Sequence, residues 1–529
     1  MYENMIVINR QSAESLQMQI RRQLAIGIVN RQFPLDKPLP STRFLASDLK
    51  VSVTTVELAY SALKADGFVK SRQRSGYYVN PDVLADPGHR AVAVGQSSDT
   101  ARPPRVDYAR LFRDRSFDRE RVVKPADSLV RYRYPFVCGL LDPSLFPLAH
   151  WRECVRDAVS AVGIANCATD FSETDDQMLI EQLIHCVLAK RGVVARPDEV
   201  LVTVGGQQAL YIAIELLLTS GETIGVEDPG YPDVVNMARI KGINVQRLPV
   251  DEEGLILSKR LSQCKCLYVT PSHQFPTTVT MPLVRKSRLL GLTRRHGQFV
   301  IEDDYESEVS FNKTPPRALK SLDRWGNVIY VGSLSKSLLQ GLRLGYLVAD
   351  PEFIREARAL RHYMLRHPPV NNQRSVALFL QRGYFDRFVA QLTRIYSRRC
   401  DVIHESLERQ FPGAVVKPEY GGTIIWLKLP GEVDAGILQA LVEPDGVFFE
   451  TGGFTFSDEQ SNRNHIRLGY AAIDEALIPE GIDRIARAVP EARNAEPSPE
   501  ERAPTREKLG PPSGGLTGSP GGASAATMS

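Results

Sequence analysis

The stretch VGSLSKSLLQGLRLGY, Val331 to Tyr346, sets Ser333 and Ser335 just ahead of Lys336 and places Arg343 two helical turns beyond it. A lone lysine is most often solvated surface charge. Two hydroxyls and a guanidinium around one amine are different: they can converge on an anion through charge-assisted hydrogen bonds, setting that anion against a reactive nitrogen. Further motifs follow the same logic. VTVGGQQAL reads as a strand, a glycine pair and a helix start, so the backbone N–H groups of Gly206 and Gln207 would face an anion. EDPGYPD puts Tyr231 after a strand, where an aromatic face can stack on a planar ring. FVIEDDY ends a buried strand with adjacent carboxylates, Asp303 and Asp304, followed by Tyr305. HIRLGY offers Arg467, whose planar fork suits a carboxylate.

Each motif occurs by chance on its own, but their order and spacing together are specific. They meet the needs of a cofactor carrying an aldehyde, a phosphate, a phenolic oxygen and a pyridine nitrogen. Such a group requires an amine for a Schiff base, an anion cradle, and a carboxylate to keep the ring nitrogen protonated.

The elements that must position these residues follow from the rest of the chain. A length of 529 residues exceeds one ordinary core, so two or more units are expected. The composition is that of a soluble globular protein, and a net charge of +3 leaves any basic function local. The start, MYENMIVINR, lacks a secretory progression, and the apolar run ALYIAIELLL is too short to cross a bilayer. Seven cysteines, with Cys264 and Cys266 one residue apart but without ligand pairs nearby, favour inert buried thiols over a metal site and fit a reducing cytoplasm. Composition divides the chain into a basic, helical unit over 11–80, a Pro/Gly/Ser/Arg/Asp linker over 81–130, and an α/β unit over 131–489. A Pro/Gly/Ser/Glu tail over 490–529 has too little apolar content to order itself. In the α/β unit helical stretches alternate with β-rich runs such as CLYVTP and NVIYVGS, the pattern of a mainly parallel sheet.

In the first unit, LQMQIRRQLAIGIVNRQF buries a stripe at Ile20, Leu24 and Ile28. Ser41 and Ser52 cap two further helices, the first burying Leu45 and Leu49, the second Val56, Ala59 and Leu63. FVKSRQRSGYYVN then forms a hairpin turning near Ser75-Gly76, which completes a winged helix-turn-helix. LPSTRFLA, VSVTTVELAY, LKADGFV and SGYYV resemble the DNA-binding domain of GntR-type regulators over nearly the whole unit. The resemblance implies that Arg43 grips the backbone or a base edge and that Thr54, Thr55 and Tyr60 face the major groove. It puts Arg72, Arg74 and Gly76 on the wing. Val53 stands where that family usually has arginine, so one contact is missing or supplied elsewhere.

GLLDPSLFPLAHW and YVTPSHQFPTTVTMP add to the site motifs. From about Tyr134 to Ala488 the chain resembles an aspartate aminotransferase-like, fold-type I domain that binds pyridoxal 5'-phosphate. With the winged head it is similar to the MocR family of transcriptional regulators. That resemblance implies the following roles. Lys336 carries the cofactor, with Asp303 at the ring nitrogen (Asp304 as the fallback) and Tyr305 at the phenolic oxygen. Tyr231 stacks on the ring. Gly206, Gln207, Ser333, Ser335 and Arg343 bind phosphate, and Arg467 takes an effector carboxylate. It also implies a homodimer, and a linker of about fifty residues reaches roughly 40 Å, enough for a domain-swapped arrangement.

Departures qualify this. The family's Asn-Pro-x-Gly turn reads Phe275-Pro276-Thr277-Thr278 here, so His273 or Gln274 must substitute for a lost amide donor, and Thr278 stiffens the turn. Gly206 replaces a serine, and Asp233, after Tyr231, would favour an effector with an additional amine. Three functions remain: a cytoplasmic regulator of promoter DNA that senses an amine, an amino acid or the cofactor itself; a working aminotransferase with an accessory DNA module; and a dimerisation scaffold. The full cofactor set argues against the scaffold. The attached head favours the regulator, with no physiological turnover and at most weak transamination.

Overall fold

Ser15, Ser41 and Ser52 each stand one residue ahead of a helix, and each hydroxyl accepts a backbone N–H from the first turn, as N-caps do. The helices are α1 (Leu16–Val29), α2 (Thr42–Asp48) and α3 (Val53–Ala65). Ile20, Leu24 and Ile28 of α1 meet Leu45 of α2 and Val56, Ala59 and Leu63 of α3 in one core. The antiparallel pair β1 (Val69–Arg72) and β2 (Gly76–Val79) forms the wing. Gly76 adopts φ +97°, a conformation costly for any other residue. The computed structural model describes residues 6, 8–10, 14–72, 76–85, 131–160, 168, 174–312, 315–414 and 420–495. Arg74, most of the expected linker and nearly all of the tail lie outside the described residues.

Tyr60 does not face the groove. It is fully buried, donates its hydroxyl to the Pro40 carbonyl at 2.7 Å and stacks on Tyr77 with centroids 4.7 Å apart. The reason is helical spacing: Tyr60 shares a face with Val56 and Leu63. Arg43 and Thr54 are exposed, and Thr55 is half-buried, with its hydroxyl 2.7 Å from that of Ser52. Exposed Arg72 lies over the Tyr78 ring at 4.3 Å. The head also runs past residue 80, because α4 (Pro81–Ala85) starts with proline at its first position and Asp82 pairs with Lys70 at 2.8 Å.

The second unit is built on continuous apolar runs, which suit strands buried on both faces. In chain order its main elements are β3 (Tyr134–Phe136), α5 (Leu148–Ala158), α6 (Gln177–Gln182), β4 (Val200–Thr203), α7 (Gly205–Leu217), β5 (Thr223–Asp228), α8 (Pro232–Ile240), β6 (Asn244–Asp251), β7 (Gly254–Leu255) and β8 (Cys266–Val269). Then come α9 (Leu283–His296), β9 (Phe299–Asp304), β10 (Val328–Ser333), β11 (Gly345–Val348), α10 (Pro351–Leu365), α11 (Val370–Gln381) and α12 (Tyr384–Gln410). The unit closes with β12 (Ile424–Lys428), α13 (Ala435–Val442), β13 (Val447–Thr451), β14 (His465–Gly469) and α14 (Ile478–Asn494).

An eight-stranded sheet runs β4-β11-β10-β9-β8-β5-β6-β7. The five strands from β10 to β6 run parallel to one another, β11 and β7 pair antiparallel at either end of them, and β4 pairs antiparallel with β11. A four-stranded sheet, β12-β14-β13-β3, forms the smaller lobe. Helix α14 passes through Pro490 to Asn494, beyond the boundary expected at 489. It continues because Ile482, Ile485, Val489 and Ala492 keep its apolar stripe buried. Cys264 and Cys266 are buried free thiols, and burial pushes both pKa values up, that of Cys264 to about 11. No helix among the described residues is long and apolar enough to cross a membrane.

Replacing Tyr60 with Phe removes one buried hydrogen bond and keeps the ring stack. Urea unfolding of the head should show a loss of about 1 kcal/mol, with DNA sequence preference unchanged.

Candidate functional site

Parallel strands present their carboxyl ends on one edge, and ligand sites of open α/β sheets lie there. At the ends of β5, β8, β9 and β10 the second unit encloses a cavity of about 260 Å³. All of the residues assigned to cofactor or effector line it: Gly206, Gln207, Tyr231, Asp303, Tyr305, Ser333, Ser335, Lys336, Arg343 and Arg467.

One end of the cavity is built for an anion. Helix α7 starts without a side-chain cap and without an acid in its first turn, so its N–H groups and positive dipole end are open. Arg343 arrives there without the helix its spacing suggested. The chain from Leu334 to Leu339 is a turn, followed by a 3₁₀ turn at Gln340–Leu342, and Arg343 itself sits at φ +50°. Its guanidinium packs on Gly205, where a Cβ would lie 3.0 Å from Nη2. Ser333 ends β10 beside Gly206, and the Ser335 N–H donates to the Ser333 hydroxyl at 3.3 Å.

The opposite wall carries a buried acid. Asp303 and Asp304 are neighbours on β9 and therefore face opposite ways. Asp304 points away from the cavity, accepting from Arg191 Nε at 2.8 Å and from the Tyr330 hydroxyl at 2.7 Å. Asp303 lines the cavity and accepts from the Tyr268 hydroxyl at 2.9 Å. Burial pushes its carboxyl up to about 7; the Tyr268 hydrogen bond and Lys336 oppose this, while Asp304 adds to it. A protonated ring nitrogen would relieve that strain on the charged form. Anion cradle, amine and buried acid thus fit a pyridoxal phosphate group, and nothing in the lining opposes it.

Lys336 needs room for its amine. A Cβ built on Gly139 would lie 2.2 Å from Lys336 Nζ, and Gly139 holds φ +68°. The Gln340 amide, which also lines the cavity, donates to the Gly139 carbonyl. Tyr231 meets Phe275 edge-on at 5.2 Å, and its hydroxyl lies 3.0 Å from both Gln207 Oε1 and Asp233 Oδ2. Gln207 also donates to Asp233 at 2.9 Å. The Asp233 carboxylate is therefore engaged in holding Tyr231 and Gln207, which corrects its assignment to a second effector amine.

The substitutes expected for the missing asparagine are corrected as well. The Gln274 amide donates to the carbonyls of Pro229 and Phe275, and its oxygen accepts from Thr277. His273 faces Glu306 at 3.3 Å, with burial lowering its pKa. Neither lines the cavity. Thr278 takes φ +67°, so the turn that lost its glycine carries local strain as well as stiffness.

Arg467 is buried, and its Nη1 donates to Glu450 at 2.8 Å. The two are cross-strand partners in β13 and β14, and the other Glu450 oxygen accepts the Cys138 N–H. The guanidinium lies 4.4 Å over the Phe275 ring, and Nε has no hydrogen-bond partner. Tyr268, Glu450, Gln340 and Gly139 are site residues that the motifs did not single out. Gly139, Tyr268 and Gln340 lay inside quoted motifs without being singled out, and nothing local ties Glu450 to the cavity.

The bacterial gntR regulatory family matches residues 16–79, and aminotransferase class I and II matches residues 142–485. The chain is 38% identical to the HTH-type transcriptional regulator TauR of Rhodobacter capsulatus, over 90% of this chain and 96% of that one. It is 28% identical to a probable rhizopine catabolism regulatory protein, MocR, of Rhizobium meliloti, over 94% and 99% of the two chains. Among solved structures, an alpha-aminoadipate aminotransferase of Thermus thermophilus superposes with a TM-score of 0.63 at 29% identity, covering 69% of this chain and 94% of that one. A winged head and an aminotransferase domain in one chain, shared along nearly full length with known regulators, place this protein in the MocR family of transcriptional regulators.

Proposed function

We propose that the protein regulates transcription by holding pyridoxal 5'-phosphate at Lys336 and sensing an amine or amino acid in the same cavity. The observation that carries this is the convergence of uncapped helix start, Ser333, Ser335, Arg343, Lys336 and Asp303 on one cavity, in a chain that also bears a winged head. When bound, the cofactor supplies a carbonyl carbon that condenses with primary amines. Gly206, Gln207, Ser333, Ser335 and Arg343 hold its phosphate. Asp303, positioned by Tyr268, pairs with the ring nitrogen, Tyr305 meets the phenolic oxygen and Tyr231 covers the ring. Arg467 receives an effector carboxylate through the part of its fork that Glu450 does not engage.

The head delivers this to double-stranded promoter DNA through Arg43, Thr54, Thr55, Arg72, Arg74 and Gly76, as a cytoplasmic homodimer. Because an effector shifts a protein only by binding its states unequally, occupancy of the cavity changes DNA affinity, and DNA changes effector affinity by the same factor. Residual transamination is compatible with the same residues. Titrating the holoprotein with amines separates sensor from enzyme: a change in the visible band without keto product supports sensing, and sustained keto-acid release overturns it.

Borohydride reduction should leave a pyridoxyl group on the wild-type chain and none on Lys336→Ala, read by peptide mass. Asp303→Asn should weaken cofactor binding about a hundredfold, the effect of removing one partner of a buried pair worth roughly 3 kcal/mol. The sign for the cofactor-free protein is opposite. A carboxyl pushed up to about 7 costs stability as pH rises from its unfolded value through 7. Asp303→Asn should therefore flatten that decline in melting temperature between pH 5 and 8. Glu450→Gln leaves Arg467 without its internal counter-charge; the ratio of β-alanine to ethylamine affinity, followed by the visible band, should rise about tenfold.

A further inference from the structure

Helix α3 shows two faces. Val56, Ala59, Tyr60 and Leu63 are buried, while Val53, Thr54, Glu57, Leu58 and Ser61 are exposed along the other side, at the spacing of one helical face. Val53 and Leu58 are 40% and 50% exposed, high for large apolar side chains. Glu57 is exposed and makes no hydrogen bond or ion pair among the described residues. Its helix neighbours three and four positions away, Val53, Thr54, Tyr60 and Ser61, include no cation, so an intrahelical pair does not account for it. Nor does the helix dipole, since Glu57 lies beyond the first turn. Between residues 11 and 80 ten Lys and Arg face five Asp and Glu, so phosphate neutralisation comes from the rest of the unit, and an acid on this face works against it.

On a face turned to bases, an acid acts as a hydrogen-bond acceptor. A carboxylate only accepts hydrogen bonds. In the major groove guanine and thymine present acceptors to it. Adenine offers one donor beside the N7 acceptor, and cytosine offers the N4 donor with no acceptor of its own. Before Lys64 the exposed face holds no Arg, Lys, Asn or Gln, the side chains that read purines in bidentate fashion. It holds methyl groups instead.

We propose that α3 reads pyrimidines: Glu57 accepts the N4–H of a cytosine, and Val53 with the Thr54 methyl packs on the 5-methyl of a thymine. This rests on the DNA-binding reading of the head and specifies what that head recognises. The test is selection from a randomised double-stranded library by the full-length, cofactor-loaded protein and its Glu57→Gln, Glu57→Ala and Val53→Ala variants, with sequencing of retained DNA. The wild type should enrich a motif with a cytosine column and an adjacent thymine column. Glu57→Gln keeps the side-chain size and should move the cytosine column to adenine or flatten it, with discrimination falling about tenfold. Glu57→Ala should flatten it outright, and Val53→Ala should weaken the thymine column. Unchanged melting and retained non-specific binding show that the variants fold. A wild-type motif without the cytosine column, or a column that survives both Glu57 variants, overturns the proposal while leaving DNA binding intact. No retained DNA from the wild type overturns both.

Discussion

Neighbouring residues on an extended strand point to opposite faces, and at the end of β9 both neighbours are acids. Two carboxylates so close in a dry interior cannot both be charged without help. The fold supplies it on one side only. Arg191 and Tyr330 satisfy Asp304 beneath the sheet, while Asp303 is left on the cavity wall with a single phenol. That asymmetry leaves Asp303 as the buried acid of the cavity wall. The uncapped α7 N-terminus with Arg343 lies at the other end of the cavity, so an anion-seeking end and a buried acid stand opposite one another.

The same principle governs the other charges in the cavity wall. Arg467 is too deeply buried to stand without a counter-charge, and the β13–β14 register brings Glu450 directly across from it. The arginine fork on the cavity wall is therefore already half engaged by an internal counter-charge. Asp233 serves structure instead, tying the Tyr231 phenol to Gln207 and fixing an aromatic face beside the start of α7.

In the head, α3 divides between a packed face that fixes it in the core and an exposed face. Tyr60 belongs to the first, through the Pro40 carbonyl and the Tyr77 ring, which brace α3 against the segment before α2 and against the wing. The exposed face then carries acceptors and methyl groups but little positive charge.

Much of this was legible in the chain. The serine caps, the apolar stripe of α1, the alternation of strands and helices, and the motifs around Lys336 are local patterns, and local geometry is what a sequence records. Their order along the chain sufficed to collect the cavity-lining residues, because parallel strands deliver their ends to one edge. What the chain could not disclose was orientation and pairing. Tyr60 looked like a reader of DNA until its helical face was seen to be the packed one. Gln274 and His273 looked like replacements for an amide until their partners proved to be backbone carbonyls and Glu306. Tyr268 and Glu450 lie 35 and 17 residues from the groups they serve, and only sheet register puts them in contact. Side-chain identity and spacing determined which chemical groups the chain brings to this unit; the folded sheet decided which acid faces the cavity and which is buried against arginine, because that depends on contacts between strands and not on neighbours in the chain.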